Sequence, residues 1–296
     1  MKKILSLLIL FGILASCSDD NKNASEKTGR LSVTLTDAPF PYDLVAEANV
    51  TIFKIEARFK SDDESAMDNS DDDLEGESGS EFILLMEDEI DVNLLELTNG
   101  VTTQMADIEV PAGTYDLVRV YVRGTNVVLT DGRVFDLKVP SGEQSGIKVF
   151  IKPGLTVTGG LSSDLLLDFD VSKSFVAKGN IKRVDGINGF NFKPVIKASN
   201  MSTAGSLIGN VSTTMEEMST PLEGSQVSVI VADTINTTAF TDVDGNYMIM
   251  GLQGGMYKAV AEFEGYVASD TVNIEINVAN NTVQDFVLEQ KAEEDN

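Results

Sequence analysis

The strongest constraint on the fold is a two-residue hydrophobic period that returns along the chain in short runs. Leu31, Val33 and Leu35 alternate with Ser32, Thr34 and Thr36, and Asp37-Ala38-Pro39 stops the run. The same alternation puts Val118, Val120 and Val122 on one face, then Val227, Val229 and Val231, then Val272, Ile274, Ile276 and Val278. Successive side chains of a strand point to opposite sides, so each run reads as a strand with one face buried and one face wet. Only Asp91 to Thr98, with Leu94, Leu95 and Leu97, reads as a short helix, ended by Asn99-Gly100. Many short strands joined by glycine and asparagine turns predict an all-β chain built of β-sandwiches.

The small, polar stretch 199–206 lies between two β-rich regions and is the best domain boundary, giving domains at 29–198 and 203–290. A local echo crosses it. Pro111-Ala112-Gly113-Thr114-Tyr115 in the first region and Gln253-Gly254-Gly255-Met256-Tyr257 in the second each set a glycine two residues before a tyrosine that enters a strand. The echo reads either as a pair of related sandwich corners or as convergence on a common turn.

The N-terminus has the layout of an export signal. Lys2 and Lys3 precede an apolar run from Ile4 to Leu14 that is short for a membrane span. Leu14-Ala15-Ser16-Cys17 then resembles the lipobox of bacterial lipoproteins. The resemblance implies that residues 1–16 are a signal peptide, that Cys17 is lipidated, and that 17–28 is a lipidated tether. Several acyl chains bury many CH₂ groups at about 0.8 kcal/mol each, which makes such an anchor effectively permanent. Ser18-Asp19-Asp20 is similar to the sorting and surface-export signals of Gram-negative lipoproteins, which implies an outer-membrane, outward-facing location; a plain solvating spacer is the alternative.

Composition narrows the chemistry. The single cysteine is used by the anchor, which leaves no disulfide framework, thiolate metal site or cysteine nucleophile. The absence of histidine removes the usual serine and cysteine protease arrangements, histidine-based zinc sites and the commonest general base near neutral pH. Cleavage after residue 16 removes two lysines and no acid, moving the formal charge from −25 to −27. Such a polyanion repels nucleic acid and anionic lipid head groups, and it is also simply well solubilised.

Candidate sites are few. Ten carboxylates crowd the acidic insertion 62–81, and so many like charges do not pack into a core. Asp71, Asp73 and Glu75, with Gly76, imitate the first positions of an EF-hand loop, but Phe82 stands where a bidentate glutamate is required, so weak, screening-type Ca²⁺ association is the expectation and no bound metal. Asp242-Val243-Asp244-Gly245-Asn246 reads as a hairpin turn rather than a cation site. Asp168 and Asp170 flank Phe169, so they share a strand face as a conceivable acid/base pair or as solvent-facing residues. Phe40 and Tyr42, in the Pro39-Phe40-Pro41-Tyr42 loop, are the candidate ligand-stacking aromatics. Asp233-Thr234-Ile235 and Asp270-Thr271-Val272 resemble a bacterial O-glycosylation motif.

Two further resemblances cover most of the chain. Gly209-Asn210-Val211, Pro221-Leu222-Glu223-Gly224-Ser225-Gln226-Val227, Thr241-Asp242-Val243-Asp244-Gly245-Asn246-Tyr247, Gly251-Leu252 and Glu264-Gly265-Tyr266 follow one another in an order similar to the carboxypeptidase regulatory-like domain. That resemblance implies a transthyretin-like, carbohydrate-binding-like sandwich. The segment Gly29 to Pro39, the Pro111 to Tyr115 run, Leu167-Asp168-Phe169-Asp170 and Lys193-Pro194-Val195-Ile196 resemble a domain of unknown function frequent in bacterial surface lipoproteins. It implies a sandwich and brings no activity with it. The expectation is a non-enzymatic surface lipoprotein without cofactor: a binding or adhesion module for glycan or a surface protein, alternatively a structural spacer, and third a carboxylate-based hydrolase.

Overall fold

A computed structural model describes residues 27–38, 44–60, 81–139 and 143–292. Strand dominates, as the two-residue period requires. The first domain contains strands β1 (Thr28–Ala38), β2 (Val45–Lys60), β3 (Glu81–Met86), β4 (Ile90–Asn93), β5 (Thr103–Pro111), β6 (Gly113–Leu129), β7 (Val134–Leu137), β8 (Ile147–Val157), β9 (Ser162–Asp170), β10 (Phe175–Gly179), β11 (Ile187–Phe192) and β12 (Ile196–Asn200). One sheet runs β3-β2-β6-β8-β12-β9-β1-β5, with β4 beside β2 and β7 beside β6. Its halves meet through a single parallel pair, Ala198 with Ile151, and fold over one another there. Leu31, Val33, Leu35, Leu165, Leu167 and Phe169 from one half bury against Ile52, Ile55, Ala57, Val118, Val120 and Val122 from the other. The β10–β11 hairpin brings Phe175 and Phe192 against Phe169, with ring centroids 4.9–6.5 Å apart.

The expected helix at 91–98 is largely absent. Residues 90–93 extend as β4 along β2, and only Leu94–Glu96 turn, as a single 3₁₀ turn capped by the Asn93 side chain. Pairing of Val92 and burial of Leu94 in the core outweigh the weak local helical preference.

The second domain is built around β13 (Ala204–Met215), which follows β12 after only three residues. It pairs with β14 (Met218–Pro221) and β17 (Asn246–Gln253), and in parallel with β20 (Asn281–Val283) and β21 (Phe286–Val287). The facing sheet runs β16 (Thr234–Phe240), β15 (Gln226–Val231), β18 (Gly255–Glu262), β19 (Val272–Ile276). Leu207, Val211, Val227, Val229, Tyr247, Ile249, Ala259 and Phe286 form a hydrophobic core separate from the first. The architecture is all-β, with two sandwich domains.

The echoed segments adopt the same corner. Gly113 sits at φ +151° and Gly255 at +152°, and two residues on Tyr115 and Tyr257 each donate the phenolic hydrogen to the carbonyl four residues back, Pro111 O and Gln253 O, at 2.8 Å in both. A Cβ on Gly113 would lie 2.5 Å from the Phe59 ring, so glycine is needed there for space as well as conformation. Such a tyrosine corner ties a sandwich's edge turn to the strand that follows it.

Candidate functional site

The two domains meet where β1, β9 and β12 end. Register across these strands aligns Thr36 with Asp168 and Asp168 with Lys197. Lys197 reaches out of β12 and donates from Nζ to the Asn236 carbonyl of β16 at 2.5 Å. Two residues on and on the same face, Ser199 Oγ donates to the Gly251 carbonyl at 2.8 Å. Gly251 has φ +71°, and a Cβ there would lie 2.9 Å from Ser199 Oγ and 3.1 Å from Leu166 Cδ2, so glycine permits the close approach of the two domains. Burial lowers the pKa of Lys197, Asp168 acts against that shift, and nearby Lys173 reinforces it.

Beside this clasp lies a cleft of about 240 Å³. Asp170, Ser172 and Lys173 form its first-domain wall, and Gln226, Ile235, Thr237, Thr238 and Phe240 its second-domain wall. A smaller crevice of about 20 Å³ adjoins Thr36, Asp37 and Asp168.

Asp168 and Asp170 are therefore at the junction rather than facing solvent. Asp170, with a side chain only 3% exposed, caps the one-turn helix α1 (Val171–Ser174). It accepts from Lys173 N at 3.0 Å, Ser172 Oγ at 2.8 Å and Lys173 Nζ at 2.7 Å. Burial pushes its pKa up, but these hydrogen bonds and the Lys173 charge outweigh burial and hold it below the usual carboxylate range. Asp37 accepts from the Val171 amide at 3.1 Å on the same turn. An ionised carboxylate committed to a helix cap is a positioning group and a poor proton donor. The cleft thus offers hydroxyls, an amide, an ammonium group and one aromatic ring, which is hydrogen-bonding and stacking chemistry.

Other sequence candidates fall elsewhere. Asp242 Oδ1 accepts from Asp244 N at 3.0 Å and Asn246 N at 2.8 Å, and Gly245 takes φ +76°, so this segment is a turn closed on itself. Thr234 and Thr271 are both exposed. Cys17, Phe40, Tyr42, Asp71, Asp73 and Glu75 lie outside the described residues. Ala38, the last described residue before the Phe40 loop, pairs with Asp170 and so brings the chain to the cleft rim. Lys197, Lys173, Gln226 and Thr238 escaped sequence reasoning. The cues were positional: Lys197 directly follows the Lys193-Pro194-Val195-Ile196 run, and Gln226 lies within the Pro221 to Val227 run. Among the described residues, no three metal-ligating side chains cluster, and no helix is long and apolar enough to cross a membrane.

Comparison with known proteins agrees with this division. A carboxypeptidase regulatory-like domain matches residues 209–289. No curated protein matches the chain in sequence. Among solved structures, the Bacillus anthracis TIE protein is 12% identical with a TM-score of 0.25, covering 88% of this chain, which spans 33% of that protein. The minor pilin GBS52 of Streptococcus agalactiae is 11% identical at TM-score 0.26, over 89% of this chain and 98% of the pilin. The shaft pilin SpaA of Lactobacillus rhamnosus GG, as its D295N mutant, is 12% identical at TM-score 0.27, over 90% of this chain and 100% of the pilin. Residues 28–194, more than half of the chain, match the profile of the domain of unknown function DUF4382, and the chain belongs to that family.

Proposed function

We propose that the protein is a non-enzymatic lipoprotein, anchored through Cys17 and displayed outward from the outer membrane, that works as a binding or adhesion module with carbohydrate as its ligand class. The observation that carries this reading is the interdomain cleft. Its walls supply hydroxyls, the Gln226 amide and the Phe240 ring, while its one buried carboxylate is committed to capping α1. Phe40 and Tyr42, which follow Ala38 in sequence and lie outside the described residues, are kept in this reading as candidate ligand-stacking aromatics. The domains, 29–198 and 203–290, fold as separate units, and Asp71, Asp73 and Glu75 hold no ordered metal.

A structural spacer or assembly partner for another surface protein is the second reading. The Lys197 and Ser199 hydrogen bonds favour it, because they fix one sandwich against the other.

A glycan and protein-partner binding screen on the chain lacking residues 1–17 separates the two. A saturable glycan whose affinity falls at least about tenfold in Gln226→Ala/Thr238→Ala supports the cleft. A protein partner alone, unaffected by those changes, supports the spacer.

A further inference from the structure

The net charge of −25 is unevenly shared. Residues 203–290 contain twelve carboxylates and a single base, Lys258, which Asp233 already holds at 3.2 Å. Residues 171–198 show the reverse, with Lys173, Lys178, Lys182, Arg183, Lys193 and Lys197 against Asp185 alone. Three of these six are engaged: Lys173 by Asp170, Arg183 by Asp185 and Lys197 by the Asn236 carbonyl. Lys178, Lys182 and Lys193 are exposed and hold no carboxylate among the described residues.

These three cations stand on a fixed hairpin. Phe175, Phe190 and Phe192 bury one face of β10 and β11, and Arg133 donates to the Val184 and Ile187 carbonyls of the loop between them. The two-residue period turns Val176, Lys178 and Asn191 to the other face, with Lys193 one step past β11. Val176 on that face and Ile181 in the loop are 49% and 38% exposed, so aliphatic groups lie among the lysines. Neighbouring acids are committed or turned away: Asp131 holds Arg133, and Asp136 lies on the side of β7 opposite Phe135, whose ring packs on Phe190. Asp43 is outside the described residues. The acidic insertion leaves β2 after Lys60, whereas Arg133 follows Leu129, which pairs with Val45 at the other end of that strand.

The second domain carries a surface of the opposite sign. Asn210 donates its amide hydrogen to Asp285 Oδ1 at 2.9 Å and its side-chain amide to the Asp244 carbonyl at 2.8 Å. The Val211 amide donates to the Gly245 carbonyl, the Leu222 amide to the Val211 carbonyl and the Gly224 amide to the Thr241 carbonyl. These bonds gather Glu223, Asp242, Asp244 and Asp285, all exposed, around Val243, which is 67% exposed. We propose that the β10–β11 hairpin of one copy docks on this acidic end of a second copy, so that the protein assembles head to tail with itself. Charge complementarity selects the partner, and the apolar groups fit it: aliphatic side chains flanked by ammonium groups meet a valine flanked by carboxylates, an apolar centre inside a polar rim. The two patches differ, so the contact is heterologous and leaves one hairpin and one acidic end open to further copies. Ala38 pairs with Asp170 at the root of the hairpin, and β1 begins about 33 Å away at Thr28, so the hairpin stands at the end of the first domain remote from where the chain enters it. Repulsion between two acidic chains is screened beyond about 8 Å at physiological ionic strength, so the local patches decide contact. The proposal does not depend on the interdomain cleft or on any glycan.

The test is sedimentation of the chain lacking residues 1–17 at physiological ionic strength, over concentrations up to the millimolar range that tethering to one surface supplies. The wild type should self-associate, and species larger than a dimer should appear as concentration rises. Reversing the hairpin, Lys178→Glu/Lys182→Glu/Lys193→Glu, or the acidic end, Glu223→Lys/Asp244→Lys, should weaken association at least about tenfold at unchanged circular dichroism, because each sets like charges face to face. Mixing the two charge-reversed variants should restore association, since the intact hairpin of one then meets the intact acidic end of the other. Gln226→Ala/Thr238→Ala, in the cleft, should associate as the wild type does. A wild type that stays monomeric throughout, charge-reversed variants that associate like it, or a mixture that stays monomeric would overturn the proposal.

Discussion

Removing one hydroxyl from each tyrosine corner should destabilise the two domains equally in free energy and unequally in melting temperature. Tyr115→Phe and Tyr257→Phe delete the same bond, 2.8 Å to a carbonyl four residues back, and keep the ring. A hydrogen bond of this kind contributes about 1 kcal/mol net, and the carbonyl left behind is only partly buried. The temperature shift is that energy divided by the unfolding entropy, which grows with domain size. The second domain's matched span is 209–289 and the first's is 28–194. One kcal/mol therefore moves the midpoint by about 4–8 °C for the smaller domain and about 2–4 °C for the larger. Scanning calorimetry on the chain lacking residues 1–17, with each transition assigned by comparison with the isolated 203–290 fragment, reads both shifts. The reasoning is refuted if Tyr257→Phe moves the first domain's transition, or if either variant leaves its own domain unmoved.

Three other outcomes follow from the same physics. Cys17→Ser should release the protein from the membrane fraction or leave the signal attached, as fractionation and intact mass will show; a processed, membrane-held variant contradicts the anchor. Asp170→Ala should cost about 2 kcal/mol at neutral pH from the lost cap and ion pair. Because the folded carboxyl sits below its ordinary value, its contribution is complete above the usual carboxylate range and vanishes as pH falls through the folded value, so the gap to wild type in chemical denaturation should close in strong acid and not near pH 7. Millimolar Ca²⁺ should barely move the melting temperature, and Asp71→Asn/Asp73→Asn/Glu75→Gln should change nothing; a saturable stabilisation lost in that variant makes the insertion a metal site.

The parts of the fold legible in the sequence were those written by local rules. Alternation marked Leu31 to Leu35 and Val118 to Val122 as half-buried strands, and both sets lie in the core. The glycine–tyrosine echo was visible as spacing, and its meaning became plain only when both hydroxyls closed on carbonyls four residues back. The failure at 91–98 shows the limit. Leu94, Leu95 and Leu97 fit a helical turn, but β2 offered Val92 a ladder partner that no local window contains. The site was less legible still. Asp170 stood out as a carboxylate, yet its task depends on Ser172 and Lys173 bending back as a single turn. Lys197 meets Asn236 across 39 positions, so the contact leaves no contiguous signature.

The central proposal is that this protein binds and does not transform its ligand. The most direct measurement incubates the chain lacking residues 1–17 with the tightest glycan from the screen, at saturation, and then recovers that glycan for mass analysis. The account predicts stoichiometric capture with the glycan returned intact after prolonged incubation. Progressive cleavage, abolished by Asp168→Asn or Asp170→Asn, would contradict it and make the junction carboxylates catalytic.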